Sequence, residues 1–213
     1  ELISELARRS GCEFKLLPLP RAREMLEFQQ GQLDILTSVS QSPDRDRAGL
    51  FLPYAYGEWA MLALPGGPRQ LEELRQNTAF KLGVVRGMRL SWLQDTVNGL
   101  AAAGQVEFSP DFYNLVAKLN AGRVQAVLLP SVIVAWMRQD GQLPAEVVRL
   151  ELPGSAPDPI GLYVSHDTVP LRDVKLLQRH LDAMRREGWM RANYVRYVGE
   201  AETKRLFRTD RRR

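Results

Sequence analysis

The sequence predicts an α/β protein of two similar lobes joined by two strands, and three observations predict it. Segments of strand character alternate with amphipathic helical segments, the pattern that builds sheets with crossover helices. Two apolar stretches bracket the middle of the chain and read as connectors. They are Glu58-Trp-Ala-Met-Leu-Ala-Leu, stopped by Pro65-Gly-Gly-Pro, and Ile160-Gly-Leu-Tyr-Val-Ser, approached through a run rich in proline. Finally, Met25-Leu-Glu-Phe-Gln-Gln-Gly-Gln-Leu-Asp-Ile-Leu is echoed by Val116-Ala-Lys-Leu-Asn-Ala-Gly-Arg-Val-Gln-Ala-Val. Each is an amphipathic helix stopped by glycine and followed four residues later by a buried strand, although glycine ends helices of every kind.

The elements follow in order. Leu2, Ile3, Leu6 and Ala7 lie at helical spacing and Gly11 ends that helix. Cys12 to Leu17 reads as a short strand. Pro20 opens a helix with Ala22, Met25, Leu26 and Gln29 on one face, which Gly31 stops. Asp34-Ile-Leu-Thr-Ser is a buried strand, and Ser42-Pro-Asp-Arg-Asp-Arg opens a polar helical turn. Strands at Leu82-Gly-Val-Val, Val106-Glu-Phe, Ala126-Val-Leu-Leu and Val147 to Leu152 alternate with a helix after Gly87 and one from Asp111. The Asp111 helix carries Phe112, Leu115, Val116 and Leu119 on one face. A long helix from Pro170 to Glu187 carries Leu171, Val174, Leu177, Leu181 and Met184. The expected division is lobe 1 over residues 1–59 and 162–213, a hinge strand over 60–64, lobe 2 over 65–157 and a return hinge over 158–161.

Composition narrows the chemistry. The 213 residues are 45% hydrophobic and 25% charged, which supports a packed core and excludes wholesale disorder. No apolar run is long enough for a membrane span, so direct membrane insertion is not expected. The single cysteine, Cys12, forms no intramolecular disulfide and no structural zinc site. With two histidines, His166 and His180, histidine-rich metal sites lack their raw material. Net charge is +4, and the densest basic cluster is the terminal Arg-Leu-Phe-Arg-Thr-Asp-Arg-Arg-Arg. A basic tail without apolar anchors reads as a solvated end, and nucleic acid is not an expected partner.

From Gly31-Gln-Leu-Asp-Ile-Leu-Thr-Ser-Val-Ser-Gln-Ser-Pro-Asp-Arg through Leu50-Phe-Leu-Pro-Tyr, the sequence resembles the family 3 extracytoplasmic solute-binding proteins. These are polar-amino-acid-type receptors of ABC importers with the type 2 periplasmic-binding fold. The likeness continues in order through Leu82-Gly-Val-Val-Arg-Gly, Leu119-Asn-Ala-Gly-Arg-Val-Gln-Ala-Val, Gly161-Leu-Tyr-Val-Ser, Ala183-Met-Arg-Arg-Glu-Gly-Trp-Met and Tyr194-Val-Arg-Tyr-Val-Gly.

The resemblance implies two lobes that close over a small ligand. It places Arg45 as the clamp of a ligand carboxylate, with Thr37, Ser38 and Ser40 beside it. A guanidinium offers a planar donor fork that fits a carboxylate, although Arg47 is a rival in the same run. In lobe 2 it places Met88 and Arg89 at a helix start after Gly87, with Ser131 at a further strand end. Trp59, near the cleft, is a candidate for stacking on the ligand. Pro130 stands where amino-acid binders place an aspartate for the α-ammonium; it has neither charge nor N–H. An anionic or modified solute is therefore expected in preference to a standard amino acid. The family also begins with a strand, and an aromatic-bearing loop, that would lie before Glu1.

Other chemistry is poorly supported. Ser165-His166-Asp167 holds the letters of a triad, but adjacent residues do not converge as a triad requires. Asp34, Asp44 and Asp46 match no calcium loop, and the glycines do not form a dinucleotide fingerprint. No cofactor, metal or catalytic residue is expected. The expected protein is a periplasmic, monomeric, non-enzymatic receptor, made with a signal peptide, that delivers its solute to an ABC membrane permease. The alternatives are a sensory domain of a signalling protein and, ranked lower, a dehydratase-type enzyme on the same fold.

Overall fold

The computed structural model describes residues 1–150, 152 and 156–207. In chain order the elements are α1 (Leu2–Ser10), α2 (Arg21–Gln29), β1 (Ile35–Ser40), α3 (Pro43–Asp46), β2 (Gly49–Gly57), β3 (Trp59–Ala63), α4 (Leu71–Gln76), β4 (Leu82–Val85), α5 (Gln94–Ala102), β5 (Val106–Ser109), α6 (Phe112–Asn120), β6 (Ala126–Pro130), α7 (Ser131–Gln139), β7 (Val148–Leu150), β8 (Asp158–Ser165), α8 (Leu171–Arg186) and α9 (Trp189–Leu206). Two compact units result. Unit 1 comprises Glu1–Leu19, Arg23–Tyr56 and Asp158–Arg213; unit 2 comprises Pro20–Ala22 and Gly57–Pro157.

Unit 1 is built on a three-stranded sheet in the order β1-β8-β2. Its middle strand is apolar on both faces, and Leu162, Tyr163 and Val164 are fully buried. On one side Leu162 and Val164 pack with Leu6, Val174, Leu177, Leu181 and Met184 from the helices; on the other, Tyr163 packs with Phe28, Leu36 and Val39. Glycine makes the middle strand possible at one point: a Cβ on Gly161 would run into the Leu52 carbonyl on the neighbouring strand.

Unit 2 holds a five-stranded sheet in the order β5-β4-β6-β3-β7. The pairs β4–β5 and β4–β6 are parallel, while β3 runs antiparallel to both β6 and β7. Apolar clusters cover both faces, one including Leu115, Leu119 and Met137 and the other Leu74, Leu93 and Leu100. A sheet covered on both faces needs near-continuous apolar strands, as the fully buried Leu82–Val85 supplies.

The two stretches expected as connectors form strands, β3 in the unit 2 sheet and β8 in the unit 1 sheet. Ala60 to Ala63 are at most 2% exposed, so β3 belongs wholly to the unit 2 sheet, and residues 158–161 open the central strand of unit 1. The strand expected over residues 12–17 does not form. It lacks the partner that a strand requires, whatever its own propensity. On α2 the buried side chain is Phe28, while Leu26 is 53% exposed; on α8 Leu171, in the first turn, faces out. Of the expected Val147–Leu152 strand, Val148–Leu150 form β7; residues 151 and 153–155, and the tail from 208, lie outside the described residues.

The repeated helix ends share one physical device. At Gly31, Gly104, Gly122 and Gly141 the glycine amide bonds three residues back and the next amide bonds five back, a Schellman cap. All four glycines have φ between 68° and 71°. The echo between residues 25–36 and 116–127 is thus one instance of a cap used on both units.

Gly161→Ala should destabilise the protein by about 1–3 kcal/mol through overpacking against Leu52. Gly99→Ala, within α5 and open to solvent, should stabilise it by roughly 0.5–1 kcal/mol. Equilibrium urea unfolding checks both, and the opposite signs are the expected result.

Candidate functional site

In unit 1 the site is assembled where β1 ends and α3 begins. Ser42, with extended backbone, caps α3, and its hydroxyl accepts the Arg45 amide at 3.4 Å. Pro43 fixes the first turn. The turn is locked from the middle strand. The Ser42 amide donates to the Tyr163 hydroxyl at 3.0 Å, and that hydroxyl donates to the Asp46 carboxylate at 2.7 Å. Burial first, and then the Asp46 bond, push the Tyr163 hydroxyl up to about 12. The ring is clamped by Phe51 and Phe28, at centroid separations of 5.0 and 6.2 Å.

This frame turns Arg45 inward. It is 7% exposed, its Nη1 donates to the Ser40 carbonyl at 2.5 Å, and its Nε lies 3.1 Å from the Met25 sulfur. Arg47 differs: its side chain is 74% exposed and pairs with Asp44. Thr37 and Ser38 sit at a break in the β1–β8 register, between Leu36 and Val39. Ser38 has φ 55°, a left-handed conformation uncommon for serine, and such strain concentrates at functional sites. Its hydroxyl shares a 2.8 Å hydrogen bond with Tyr54, whose hydroxyl in turn bonds Tyr194. Burial and the Tyr54 contact push the Tyr194 hydroxyl well above its ordinary value.

In unit 2 the carboxyl ends of the parallel strands carry the remaining candidates, the location where open α/β sheets bind ligands. Ser131, 2% exposed, begins α7, and its amide donates to the Glu58 carbonyl at 2.8 Å. Trp59 pairs with Pro130 across β3–β6 and packs partly against an apolar cluster. Gly87 and the residues after it form a turn rather than a helix start. The Met88 amide is taken by the Val85 carbonyl, its side chain packs against both clusters, and the helix begins at Gln94 after a 3-10 turn at Ser91–Leu93. Arg89 is exposed.

Sequence reasoning missed two buried polar groups at these strand ends. Tyr163 anchors α3 from 121 positions away, which no local pattern announces. Ser109, at the end of β5, is 1% exposed, and its hydroxyl finds no partner among the described residues. The Ser165–Asp167 run is a turn in which the Ser165 hydroxyl accepts the Asp167 amide at 3.2 Å. Among the described residues no group of three His, Cys, Asp or Glu side chains could hold a metal ion, and no helix is long and apolar enough to cross a membrane.

Tyr163→Phe should cost about 1–3 kcal/mol, because it leaves the buried Ser42 amide without its acceptor. The raised hydroxyl also sets an alkaline limit. The folded state holds the Tyr163 proton up to about 12, above the ordinary 10, so this stabilisation is complete below pH 10 and is lost as pH rises towards 12. Urea unfolding from pH 8 to 12 should show a shallower alkaline decline in Tyr163→Phe, with Tyr194 accounting for part of what remains.

No family model matches the sequence, and no curated protein matches it. Solved structures do. An ancestral arginine-binding protein bound to glutamine superposes with a TM-score of 0.76 at 22% identity, over 93% of this chain and 86% of the other. The arginine-, lysine-, histidine-binding protein ArtJ of Geobacillus stearothermophilus gives 0.76 at 15% identity, over 93% and 84%. A histidine kinase sensor domain with similarity to periplasmic binding proteins gives 0.74 at 17% identity, over 93% and 84%. At these identities the likeness establishes the architecture, and the chain has the type 2 periplasmic-binding-protein fold.

Proposed function

We propose that this protein binds a small solute carrying a carboxylate or other anionic group and presents it to an ABC importer. The observation that carries the reading is Arg45, a guanidinium withdrawn from solvent and fixed at the carboxyl end of β1 by Ser40 and the capped α3 turn. A planar donor fork held in place recognises a carboxylate bidentately and loses little freedom on binding. Thr37, Ser38 and Ser40 supply neighbouring hydroxyls. Unit 2 contributes Ser131 and Arg89 as polar contacts, with Trp59 and Met88 as apolar wall.

Pro130, at the end of β6, brings no charge, and a buried ammonium without a partner is costly. Standard α-amino acids are therefore poor ligands in this reading, although neighbours of the same fold bind them. The protein works outside the cytoplasm, made with a signal peptide, as a monomer without catalytic activity, cofactor or metal. A second reading is favoured by the histidine kinase sensor domain of the same fold: ligand binding that signals instead of delivering solute. A membrane-spanning helix encoded after Arg213 would assign that role.

A thermal-shift screen against amino acids, organic acids and polyamines tests the ligand class, since a ligand bound only by the folded state raises its melting temperature. Organic anions should stabilise, and micromolar binding of a common amino acid by calorimetry would contradict the Pro130 argument. With the anion found, Arg45→Ala should weaken its binding by about 2–5 kcal/mol, whereas Arg47→Ala should leave it nearly unchanged. Equal binding by the two variants would remove Arg45 from the site.

A further inference from the structure

Three hydroxyls in unit 1 are joined in a chain that runs from its surface inward. Ser38 is exposed at the register break of β1, and its Oγ lies 2.8 Å from the hydroxyl of Tyr54 on β2. Tyr54 is 2% exposed and bonds in turn to the hydroxyl of Tyr194 on α9. The Tyr194 ring is itself held edge-on against Phe207, at a centroid separation of 5.2 Å.

The outer end of the chain is strained. Ser38 has φ 55°, a conformation that glycine enters freely and that a serine keeps only where its surroundings hold it. The bond to Tyr54 holds it there: among the described residues the Ser38 side chain has no other hydrogen bond. A strained backbone and a buried tyrosine thus converge on the placing of one hydroxyl.

The chain also has a direction. A hydroxyl carries one hydrogen and two lone pairs, and a buried hydrogen without an acceptor is rarer than a spare lone pair. Among the described residues Tyr54 is the one hydrogen-bond partner of the Tyr194 hydroxyl, so Tyr194 donates and Tyr54 accepts. Burial first, and then Tyr54, raise the Tyr194 hydroxyl well above its ordinary value, as befits a phenol that keeps its proton. Tyr54 in turn gives its hydrogen to Ser38, since a phenol is a better donor than an aliphatic alcohol. Ser38 accepts, and its own hydrogen is left for a group outside the protein. Hydrogen bonds in such a chain polarise one another, which strengthens the last donor.

We propose that Tyr54 and Tyr194 are positioning residues for the anion site, fixing the Ser38 hydroxyl as a donor to an acceptor oxygen of the solute. This rests on the reading of Arg45 as the clamp of an anionic group, and it adds a selective element. A carboxylate or similar oxyanion offers only acceptors and satisfies the hydrogen; a solute that presents an N–H here meets a donor in place of an acceptor.

Acetate serves as the probe, because it carries the anionic group and little else. Its binding to the full chain is followed by NMR titration, beside the melting temperature of each variant. Ser38→Gly relieves the strain and removes the donor, so it should melt no lower than the parent protein yet bind acetate about tenfold more weakly. Ser38→Ala keeps the strain without the bond and should melt lower. Tyr54→Phe and Tyr194→Phe should each weaken acetate binding by about three- to tenfold. Tyr194→Phe, the more remote change, carries the test should Tyr54→Phe fail to fold. In the Ser38→Gly background the tyrosine changes should add nothing, since the group through which they act is gone. A merely structural role would give the same loss in both backgrounds, and that additivity would overturn the inference. Acetate binding that is lost with Arg45→Ala but indifferent to Ser38→Gly would also overturn it, while leaving the anion reading intact. Acetate that fails to bind the parent protein would overturn the anion reading, and the inference with it.

Discussion

Arg45 is where it is because of a tyrosine on another strand. The Tyr163 hydroxyl accepts from the first amide of the α3 turn and donates to Asp46 at its far end, so a single buried oxygen fixes a short helix at both ends. The α3 helix is too short to hold itself together: Pro43–Asp46 makes barely one turn, and helix nucleation is unfavourable without outside support. Tyr163 is itself immobilised by the aromatic pair Phe51 and Phe28 and by the strands on either side. The order of dependence runs from a two-faced apolar strand, to its one polar tip, to a capped turn, to a buried cation.

Unit 2 achieves a comparable rigidity by a different route. There β3, β4 and β6 are almost entirely apolar and lie between two helical layers, so the strand ends are positioned by burial more than by polar anchoring. What emerges at the carboxyl ends is sparse: a serine amide held by Glu58, a tryptophan beside a proline, and the hydroxyl of Ser109, which has no partner among the described residues.

Much of this was legible in the residues. Helix ends were readable because only glycine enters the left-handed cap without strain, and the buried face of α6 because its apolar spacing is strictly helical. The α3 turn was legible through its cap, since a serine followed by proline announces a helix start, whereas Arg45 was singled out by the family resemblance. Failures had a common cause in partners distant along the chain. Residues 12–17 have strand composition but no strand to pair with. The pairing of β3 was hidden because its neighbours β6 and β7 lie far ahead in sequence. The helix start after Gly87 was displaced because the Met88 side chain is drawn into the core between both clusters.

The four like glycine caps bear on how this fold survives sequence change. At each, the backbone conformation excludes nearly every side chain, whereas the strand positions between them ask only for an apolar residue that fills the space. Constraint is thus concentrated at a few punctuation points and diluted everywhere else. Sequences written under such rules can share an architecture at low identity, as the 15–22% identities at TM-scores of 0.74–0.76 illustrate. Such an architecture is specified by a few backbone conformations more than by its letters.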